Sequence, residues 1–198
     1  MEYNNNNIFI DWINISQPNN GRFNPVNDGK VIRIDADGVE QYTTDISLKH
    51  EGSHSSSAQI RCTPEKFELS FNPSRWNRKD NLFGMDIEQV KIFLNNEFMP
   101  SINQPPFTGG KVKIMQLPGG KEKTIYDGAS ITMVDATINI KTGSPENLLD
   151  IMAHLKTQAL KRKKTTGYDN TIYYGQRSTY RATKVYKKGE EIAKKAET

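Results

Sequence analysis

Short strand-like segments separated by turn residues make up most of this chain, and only two segments have the spacing of an amphipathic helix. Apolar or alternating runs occur at residues 8–15, 31–34, 40–43, 58–71, 112–117 and 131–140, and a final hairpin is predicted at 171–177 and 180–188. Residues rich in Gly, Pro, Asn and Ser lie between most of these runs. This order predicts an α+β fold with a largely antiparallel central sheet and flanking helices.

The first predicted helix begins with a capping-box pattern. Asp86 is the N-cap and Gln89 follows three residues later, while Pro100 is expected to end the helix. Its predicted apolar face consists of Val90, Phe93, Leu94 and Phe98.

The second predicted helix begins at Ser144, an N-cap residue, with Pro145 at the first helical position. Its apolar stripe consists of Leu148, Met152, Leu155 and Ala159. Its predicted last turn consists of Lys161, Arg162, Lys163 and Lys164. These cations complement the helix dipole, and they can also lie against phosphates.

Positive charge is concentrated near the end of the chain. Residues 156–188 hold ten of the 27 basic side chains and one of the 23 acidic ones, a balance of +9 that leaves −5 on the rest of the 198 residues. Such a concentration is typical of a surface that binds nucleic acid. The single cysteine excludes an internal disulfide, and no signal peptide or apolar membrane span is present, so we expect a soluble cytoplasmic protein. The final residues, EEIAKKAET, resemble an unfinished helix, which suggests a truncated chain.

Tyrosines are interleaved with basic residues between positions 168 and 191. The tyrosines are Tyr168, Tyr173, Tyr174, Tyr180 and Tyr186, and the basic residues are Arg177, Arg181, Lys184, Lys187 and Lys188. Tyrosine rings stack on bases, and Lys and Arg contact phosphates. The pattern predicts a surface that grips a nucleic-acid strand, on which a tyrosine hydroxyl can also act as a nucleophile.

The last predicted strand places a tyrosine between two lysines. Lys184, Tyr186 and Lys188 share one face, because alternate residues of a strand point the same way. A lysine at this distance can favour the ionised form of a tyrosine and contact a phosphate. Tyr173, Tyr174 and Tyr180 are predicted to serve in packing or stacking.

Two carboxylates are predicted on a polar sheet face. In residues 131–140, Asp135 points away from the apolar set that includes Val134, and in residues 67–71 Glu68 does the same. Paired carboxylates near a histidine suit Mg²⁺ or Mn²⁺, with His54 as the candidate third ligand. The alternative is two solvent-facing acids. Asp11, in the first strand, is either structural or close to the site.

Several segments resemble one family of replication proteins. TIYYGQRSTYRATKVYKK, at residues 171–188, resembles the T-I-Y-x-G-x-R and Y-x-K motifs of the staphylococcal-type rolling-circle plasmid initiators. VDATINI at 134–140 and FELS at 67–70 are similar to two of their strands. The gene II replication proteins of filamentous phages also pair an I-D-A-T strand with a later A-Y-L-K strand. Their S-P-A-K…N-V-F-G stretch has the spacing of residues 72–84, and IDWINIS at 10–16 is similar to the opening strand of such initiators.

The chain is thereby identified as similar to the HUH-type rolling-circle initiators over nearly its whole length. It has no His-hydrophobic-His triplet, and HEGSH at residues 50–54 has a different spacing. The resemblance implies one HUH-like origin-nicking domain over residues 1–198. It implies that Tyr186 is the nucleophile and Lys188 assists it. It also implies that Asp135, Glu68 and His54 bind Mg²⁺ or Mn²⁺.

The implied reaction is cleavage of single-stranded or extruded origin DNA. It leaves a 5′-phosphotyrosine and a free 3′-OH, which a host polymerase extends while a host helicase unwinds the duplex. The DNA backbone is expected to lie against Arg177, Arg181, Lys184 and the cluster Lys161, Arg162, Lys163 and Lys164.

Three other functions fit part of the pattern. A relaxase or transposase would use the same chemistry, and a non-catalytic origin-binding or single-strand-binding module would keep the basic surface without cleavage. An RNA-binding protein would also use aromatic and basic residues, but it would leave Glu68 and Asp135 without a role. The sequence favours neither a monomer nor a dimer.

Overall fold

The chain divides into two compact units, Met1–Ile138 and Asn139–Thr198. A computed structural model describes residues 8–26, 29–79, 84–158, 165–168, 170–176, 178 and 180–189. The α+β class is confirmed, since an antiparallel sheet and short helices make up the described parts. One functional domain across both units stays a prediction. No helix among the described residues combines the length and the apolar character needed to cross a membrane.

The first unit is built on a five-stranded antiparallel sheet in the order β4-β5-β6-β1-β9. Its strands are β1 (Phe9–Pro18), β4 (Leu48–Glu51), β5 (Ser57–Cys62), β6 (Lys66–Phe71) and β9 (Ser130–Thr137). Two hairpins form separate two-stranded ribbons. Their strands are β2 (Lys30–Ile34), β3 (Glu40–Asp45), β7 (Val112–Leu117) and β8 (Lys121–Tyr126).

One face of this sheet is covered by a helix and carries the core. Helix α1 (Ile87–Phe93) continues into a π-helical turn (Leu94–Phe98) and a short helix α2 (Met99–Ser101). The predicted capping box is confirmed, because Asp86 accepts from the Gln89 amide at 2.8 Å and Gln89 accepts from the Asp86 amide at 3.0 Å. The helix side of the core consists of Val90, Leu94, Phe98 and Met99, and the sheet side includes Ile13, Ile60, Phe67, Leu69 and Phe71.

The second unit packs one helix against a three-stranded antiparallel sheet. Helix α3 is Pro145–Thr157, and the strands are β10 (Thr165–Gly167), β11 (Thr171–Tyr174) and β12 (Thr183–Tyr186). Ser144 caps the helix as predicted, accepting from the Asn147 amide at 3.2 Å. The small core consists of Met152, Ile172 and Tyr174, with Leu148, Leu155 and Val185 packed against it.

Three strands were not predicted from the sequence. β4 lies in a polar stretch with the composition of a loop, and β8 follows a turn after which no strand was expected. β10 follows the basic cluster that was predicted to end the second helix. β4 completes the edge of the main sheet by pairing with β5. β8 pairs with β7 along its full length, and both strands are exposed. The polar composition of β8 hides it, because a strand of an exposed ribbon needs no buried apolar face. β4 is hidden in the same way, since none of its side chains is fully buried.

Several predicted element ends are wrong, among them those of β9 and α3. β9 ends at Thr137, and Val134, predicted to face the core, is 45% exposed because the buried core includes no residue of β9. Helix α3 ends at Thr157, since Gln158 has an extended backbone (ψ 136°). The cluster predicted as its last turn, residues 161–164, lies outside the described residues.

Candidate nucleic-acid interface and nucleophile site

The sheet of the second unit has one buried and one accessible face. Ile172 and Tyr174 of β11 point into the core beneath α3, so the alternate residues of β11 and β12 point the other way. Pairing places Tyr173 directly opposite Lys184, and Thr171 opposite Tyr186. We call this the tyrosine–lysine face, made of Tyr168, Tyr173, Lys184, Tyr186 and Lys188.

Two lysines approach Tyr186, the predicted nucleophile. Lys188 Nζ donates a hydrogen bond to the Tyr186 hydroxyl at 3.4 Å, although β12 already ends at Tyr186. Lys184 Nζ lies 4.7 Å from the centre of the Tyr186 ring, within the range of a cation–π contact. Tyr186 is half-buried, so its side chain is partly packed and partly exposed to solvent. An ammonium next to a phenol oxygen stabilises the negative charge that nucleophilic attack requires.

The other tyrosines have different environments. Tyr174 is 2% exposed, and its hydroxyl donates to the Leu155 carbonyl at 2.5 Å, so the packing role predicted for it is confirmed. Tyr173 packs edge-on against Tyr168, with ring centres 6.0 Å apart. Tyr180 is 99% exposed, which rules out a core position. Among hydrogen bonds between described residues, the one from a lysine to the hydroxyl oxygen distinguishes Tyr186 from these four tyrosines.

The predicted DNA-binding cations are only partly described. Lys184 lies between two rings of the tyrosine–lysine face, 5.8 Å from the centre of Tyr173. Arg181 is exposed in the connection between β11 and β12, where its amide donates to Ser178 at 3.2 Å. Arg177 and the cluster Lys161, Arg162, Lys163 and Lys164 lie outside the described residues.

The exposed face of the five-stranded sheet is polar near its centre. Asn14 accepts hydrogen bonds from the Trp12 indole at 2.8 Å and the Ser70 hydroxyl at 2.6 Å. Glu68 belongs to this face, where it pairs with Ser16 and Arg61 across the two neighbouring strands and binds Lys66 at 2.7 Å. The prediction that Glu68 points away from the core is therefore confirmed.

Asp135 shares this face, but at another position. It pairs with Trp12, whereas Glu68 pairs with Ser16, four residues further along β1. Four residues span about 13 Å, and the strands β6 and β9 lie two spacings, or about 10 Å, apart. The two Cα atoms are therefore about 16 Å apart, which is too far for one ion with ligand distances of about 2.0–2.6 Å.

His54 lies elsewhere again. It is exposed at positive φ (53°) in the turn between β4 and β5, about three strand spacings or 15 Å across the sheet from β9. No group of three His, Cys, Asp or Glu side chains suited to a metal occurs among the residues that the structure describes. Thus Asp135, Glu68 and His54 do not fit one shared Mg²⁺ or Mn²⁺ site in this part of the chain.

Asp11 lies close to Asp135 in the strand pairing. The register between β1 and β9 shifts between Ile10 and Trp12, which makes Asp11 the extra residue of a bulge. Its carboxylate accepts from the Asn72 amide at 2.8 Å. Of the two roles that the sequence allows for Asp11, structural or close to the site, the fold shows a hydrogen-bonding role beside the Trp12–Asp135 pair.

Sequence reasoning missed the basic residues of β8. Lys121 and Lys123 lie on the same face of that strand as Ile125, because residues two apart share a face. The alternation K-E-K-T-I-Y was the available signal, since it separates Glu122 from both lysines. The strand was not predicted because residues 121–126 contain no continuous apolar run.

Comparison with known proteins places the chain in a family. Over residues 9–198 its sequence matches the Phage CRI family, which is described as the N-terminal region of the phage replication-associated protein, the gene II protein. It is 36% identical over 93 residues to the replication-associated gene II protein of Escherichia phage If1. That alignment covers 46% of this chain and 29% of the relative, so the match spans less than a third of the relative's length. No solved structure matches the chain.

The family match covers nearly the entire chain, and it agrees with the motifs at residues 134–140 and 171–188. The resemblance to the gene II type of rolling-circle initiator is therefore confirmed at the level of the family. The chain belongs to the family formed by the N-terminal region of the phage replication-associated gene II protein.

Proposed function

We propose that this chain is the nicking and strand-transfer part of a phage rolling-circle replication initiator, with Tyr186 as the nucleophile. The observation that carries the proposal is the hydrogen bond from Lys188 Nζ to the Tyr186 hydroxyl, 3.4 Å, on a face that also holds Lys184. Family membership supports a role in phage replication, and the contact with Lys188 supports the Tyr186 hydroxyl as the reactive group.

The proposed reaction is one phosphoryl transfer to tyrosine. The Tyr186 oxygen attacks phosphorus in line and loses its proton to solvent, while the bond from phosphorus to the 3′ oxygen breaks. The departing 3′ oxygen takes up a proton, which leaves a free 3′-OH and a 5′-phosphotyrosine. Lys188 stabilises the phenolate, and Lys184 lies where it can contact the transferred phosphate. A host polymerase then extends the 3′-OH while a host helicase unwinds ahead.

The tyrosine–lysine face also suits binding of a single strand. Tyr173 and Tyr168 offer ring surfaces beside Tyr186, and Lys184 adds a phosphate contact between the rings. Stacking on aromatic rings contributes about 1–3 kcal/mol per base and needs no particular sequence. We infer that the nucleotides next to the cleaved bond stack here.

Covalent adduct formation tests the proposal. The chain is incubated with a labelled single-stranded oligonucleotide carrying the phage origin and with Mn²⁺, and mass spectrometry identifies the residue that carries nucleotide. An adduct on Tyr186 is the expected result. A non-catalytic binding module would shift the oligonucleotide in a gel without ever becoming attached to it.

Replacement of Lys188 by methionine is expected to slow adduct formation about 10- to 100-fold, because the phenolate loses a charge-assisted hydrogen bond of about 1.5–3 kcal/mol. Oligonucleotide binding should weaken by no more than about fivefold at about 0.1 M salt, since at most one phosphate contact, with a slope of about −0.7 on a single strand, is lost. Single-turnover kinetics measure the rate. Lys188→Arg is the matched control, and it should restore most of the rate because it keeps the charge. Equal rates for Lys188→Met and the unchanged protein would exclude the assisting role.

Metal dependence stays a prediction, and no step of the reaction is assigned to a metal. We expect EDTA to reduce nicking to background and added Mg²⁺ or Mn²⁺ to restore it. Asp135→Asn should raise the Mn²⁺ concentration needed, whereas Glu68→Gln should leave it unchanged, because one ion cannot bind both carboxylates and Glu68 already binds Lys66. Nicking that persists in EDTA would contradict the metal requirement. If Glu68→Gln but not Asp135→Asn raises the Mn²⁺ concentration needed, the metal site lies at Glu68 instead of Asp135.

A further inference from the structure

The ribbon formed by β7 and β8 is exposed along both strands. All six residues of β7 are exposed, and so are all those of β8 except Ile125, which is half-buried. Its tip is a turn in which Gly119 and Gly120 both have positive φ, 84° and 73°. The ribbon is about 20 Å long, from six residues at about 3.4 Å each. A structure of this size with both faces uncovered is available to a large partner.

Strand pairing places the lysines of the ribbon on one face and its glutamate on the other. Directly paired residues share a face, so one side, which we call the lysine face, holds three lysines and three apolar residues. The lysine face consists of Lys113, Met115, Leu117, Lys121, Lys123 and Ile125, and the opposite face consists of Val112, Ile114, Gln116, Glu122, Thr124 and Tyr126. The acid and the aromatic ring of the ribbon both lie on the opposite face.

The base of the ribbon is closely packed and adds further cations. Gly110 and Gly128 cross so closely that a Cβ on either would collide with the backbone of the other. Asp127 accepts from the Lys111 amide at 2.7 Å and binds Lys113 Nζ at 2.8 Å. An open groove beside the base of the ribbon is lined in part by Arg22, Lys111 and Lys113, so positive charge continues from the lysine face into the groove.

We propose that the lysine face of the β7–β8 ribbon binds double-stranded DNA, the duplex that flanks the nicked strand. The proposal rests on the proposed function. A two-stranded ribbon fits the major groove, which is about 12 Å wide. The lysines would contact phosphates, and the apolar residues between them suit thymine methyl groups.

The composition of the face favours duplex over single-stranded DNA. Single strands are held by stacking on aromatic rings, and the lysine face has none, since Tyr126 points the other way. The tyrosine–lysine face of the second unit has the rings. The tyrosine–lysine face therefore suits single-stranded DNA, whose bases can stack on rings, and the lysine face suits duplex DNA, whose bases are already stacked.

The test compares two double variants with the same change in charge. Lys121→Ala/Lys123→Ala removes two lysines of the lysine face, and Lys30→Ala/Arg33→Ala removes two cations from the exposed β2–β3 ribbon. Binding of a labelled 25-base-pair origin duplex is measured by anisotropy from about 0.05 to 0.3 M salt. Each lost phosphate contact should flatten the slope of log K against log salt by about 0.9. Losing one or two contacts corresponds to about 8- to 60-fold weaker binding at about 0.1 M salt.

A third variant should act in the opposite direction. The hydrogen bond from Lys113, followed by that from the Lys111 amide, lowers the pKa of Asp127, so its carboxylate is charged at neutral pH. Asp127→Asn keeps an oxygen acceptor for the Lys111 amide but removes the negative charge from the base of the lysine face. Duplex binding should become several-fold tighter. Thermal unfolding of each variant shows whether the fold is retained.

The outcomes separate this inference from the proposed function. The loss for Lys121→Ala/Lys123→Ala should be at least about fivefold larger on duplex than on a single-stranded oligonucleotide of the same sequence. Equal losses on both DNA forms would overturn the inference. An equal loss of duplex affinity in Lys30→Ala/Arg33→Ala would overturn it too. Unchanged duplex affinity in Lys121→Ala/Lys123→Ala would also overturn it, and this is the result expected if the ribbon binds an acidic protein instead. Adduct formation on the single-stranded oligonucleotide reports on Tyr186 independently, so either proposal can fail alone.

Discussion

Tyr186→Phe is expected to abolish the covalent protein–DNA adduct while leaving DNA binding nearly unchanged. The substitution removes one hydroxyl, the proposed attacking atom, and it leaves the ring and both nearby lysines in place. Loss of a nucleophile reduces the rate by at least about 10⁴-fold, so no adduct should appear above background. Denaturing gel electrophoresis of protein with labelled oligonucleotide measures the adduct, and anisotropy measures binding.

Two tyrosines of the neighbouring strand are matched controls. Tyr173→Phe changes a ring on the same face that is paired with Lys184, and it should cleave at a rate close to the unchanged protein. Tyr174→Phe removes the buried hydrogen bond to the Leu155 carbonyl, so it should lower the free energy of unfolding by about 1 kcal/mol and still form adduct. An adduct on Tyr186→Phe, or its loss in Tyr173→Phe alone, would show that the nucleophile is another residue.

Phe98→Ala is expected to lower the free energy of unfolding of the first unit by about 3–5 kcal/mol. Phe98 is 1% exposed and stacks on Phe71 with ring centres 5.2 Å apart. It also meets Trp76 edge-on at 5.0 Å. Removing the ring leaves a cavity between helix and sheet, which these large neighbours cannot fill. This loss is a large part of the roughly 5–15 kcal/mol that typically stabilises a domain.

Urea unfolding followed by tryptophan fluorescence measures this effect, because Trp76 lies beside the cavity. Ile92→Ala is the control, since Ile92 lies on the preceding helix but is 58% exposed, and its replacement should change stability by no more than about 0.5 kcal/mol. A change below about 1 kcal/mol for Phe98→Ala would mean that the helix does not pack on the sheet as described.

The π-helical turn shows where local patterns stop being informative. The predicted face of Val90, Leu94 and Phe98 is buried as an α-helical spacing requires. Met99 is buried as well, because the wider turn closes with a hydrogen bond from the Met99 amide to the Leu94 carbonyl, five residues back. Packing against the aromatic core selects this geometry, and no residue in the turn predicts it from the sequence.

Features that depend on neighbours in the chain could be predicted from the sequence. Both helix caps are local hydrogen bonds between residues three apart, and strand alternation depends only on backbone geometry. Glu68 was therefore assigned to the correct face of β6, and Lys184 and Tyr186 to one face of β12. The hydrogen bond from Lys188 to Tyr186 agrees with the same short-range reasoning.

Features that depend on distant partners were decided by the tertiary structure. Alternation assigns a residue to a face but not to a position along the strand, so only the pairing of β1 with β6 and β9 revealed that Glu68 and Asp135 are about 16 Å apart. Val134 is exposed because the buried core includes no residue of β9, and the lysine face exists because β7 pairs with β8. Register and strand order come from contacts between residues far apart in the chain. The sequence of each strand therefore determined its own geometry and local chemistry, and the assembled sheet determined which chemical groups meet.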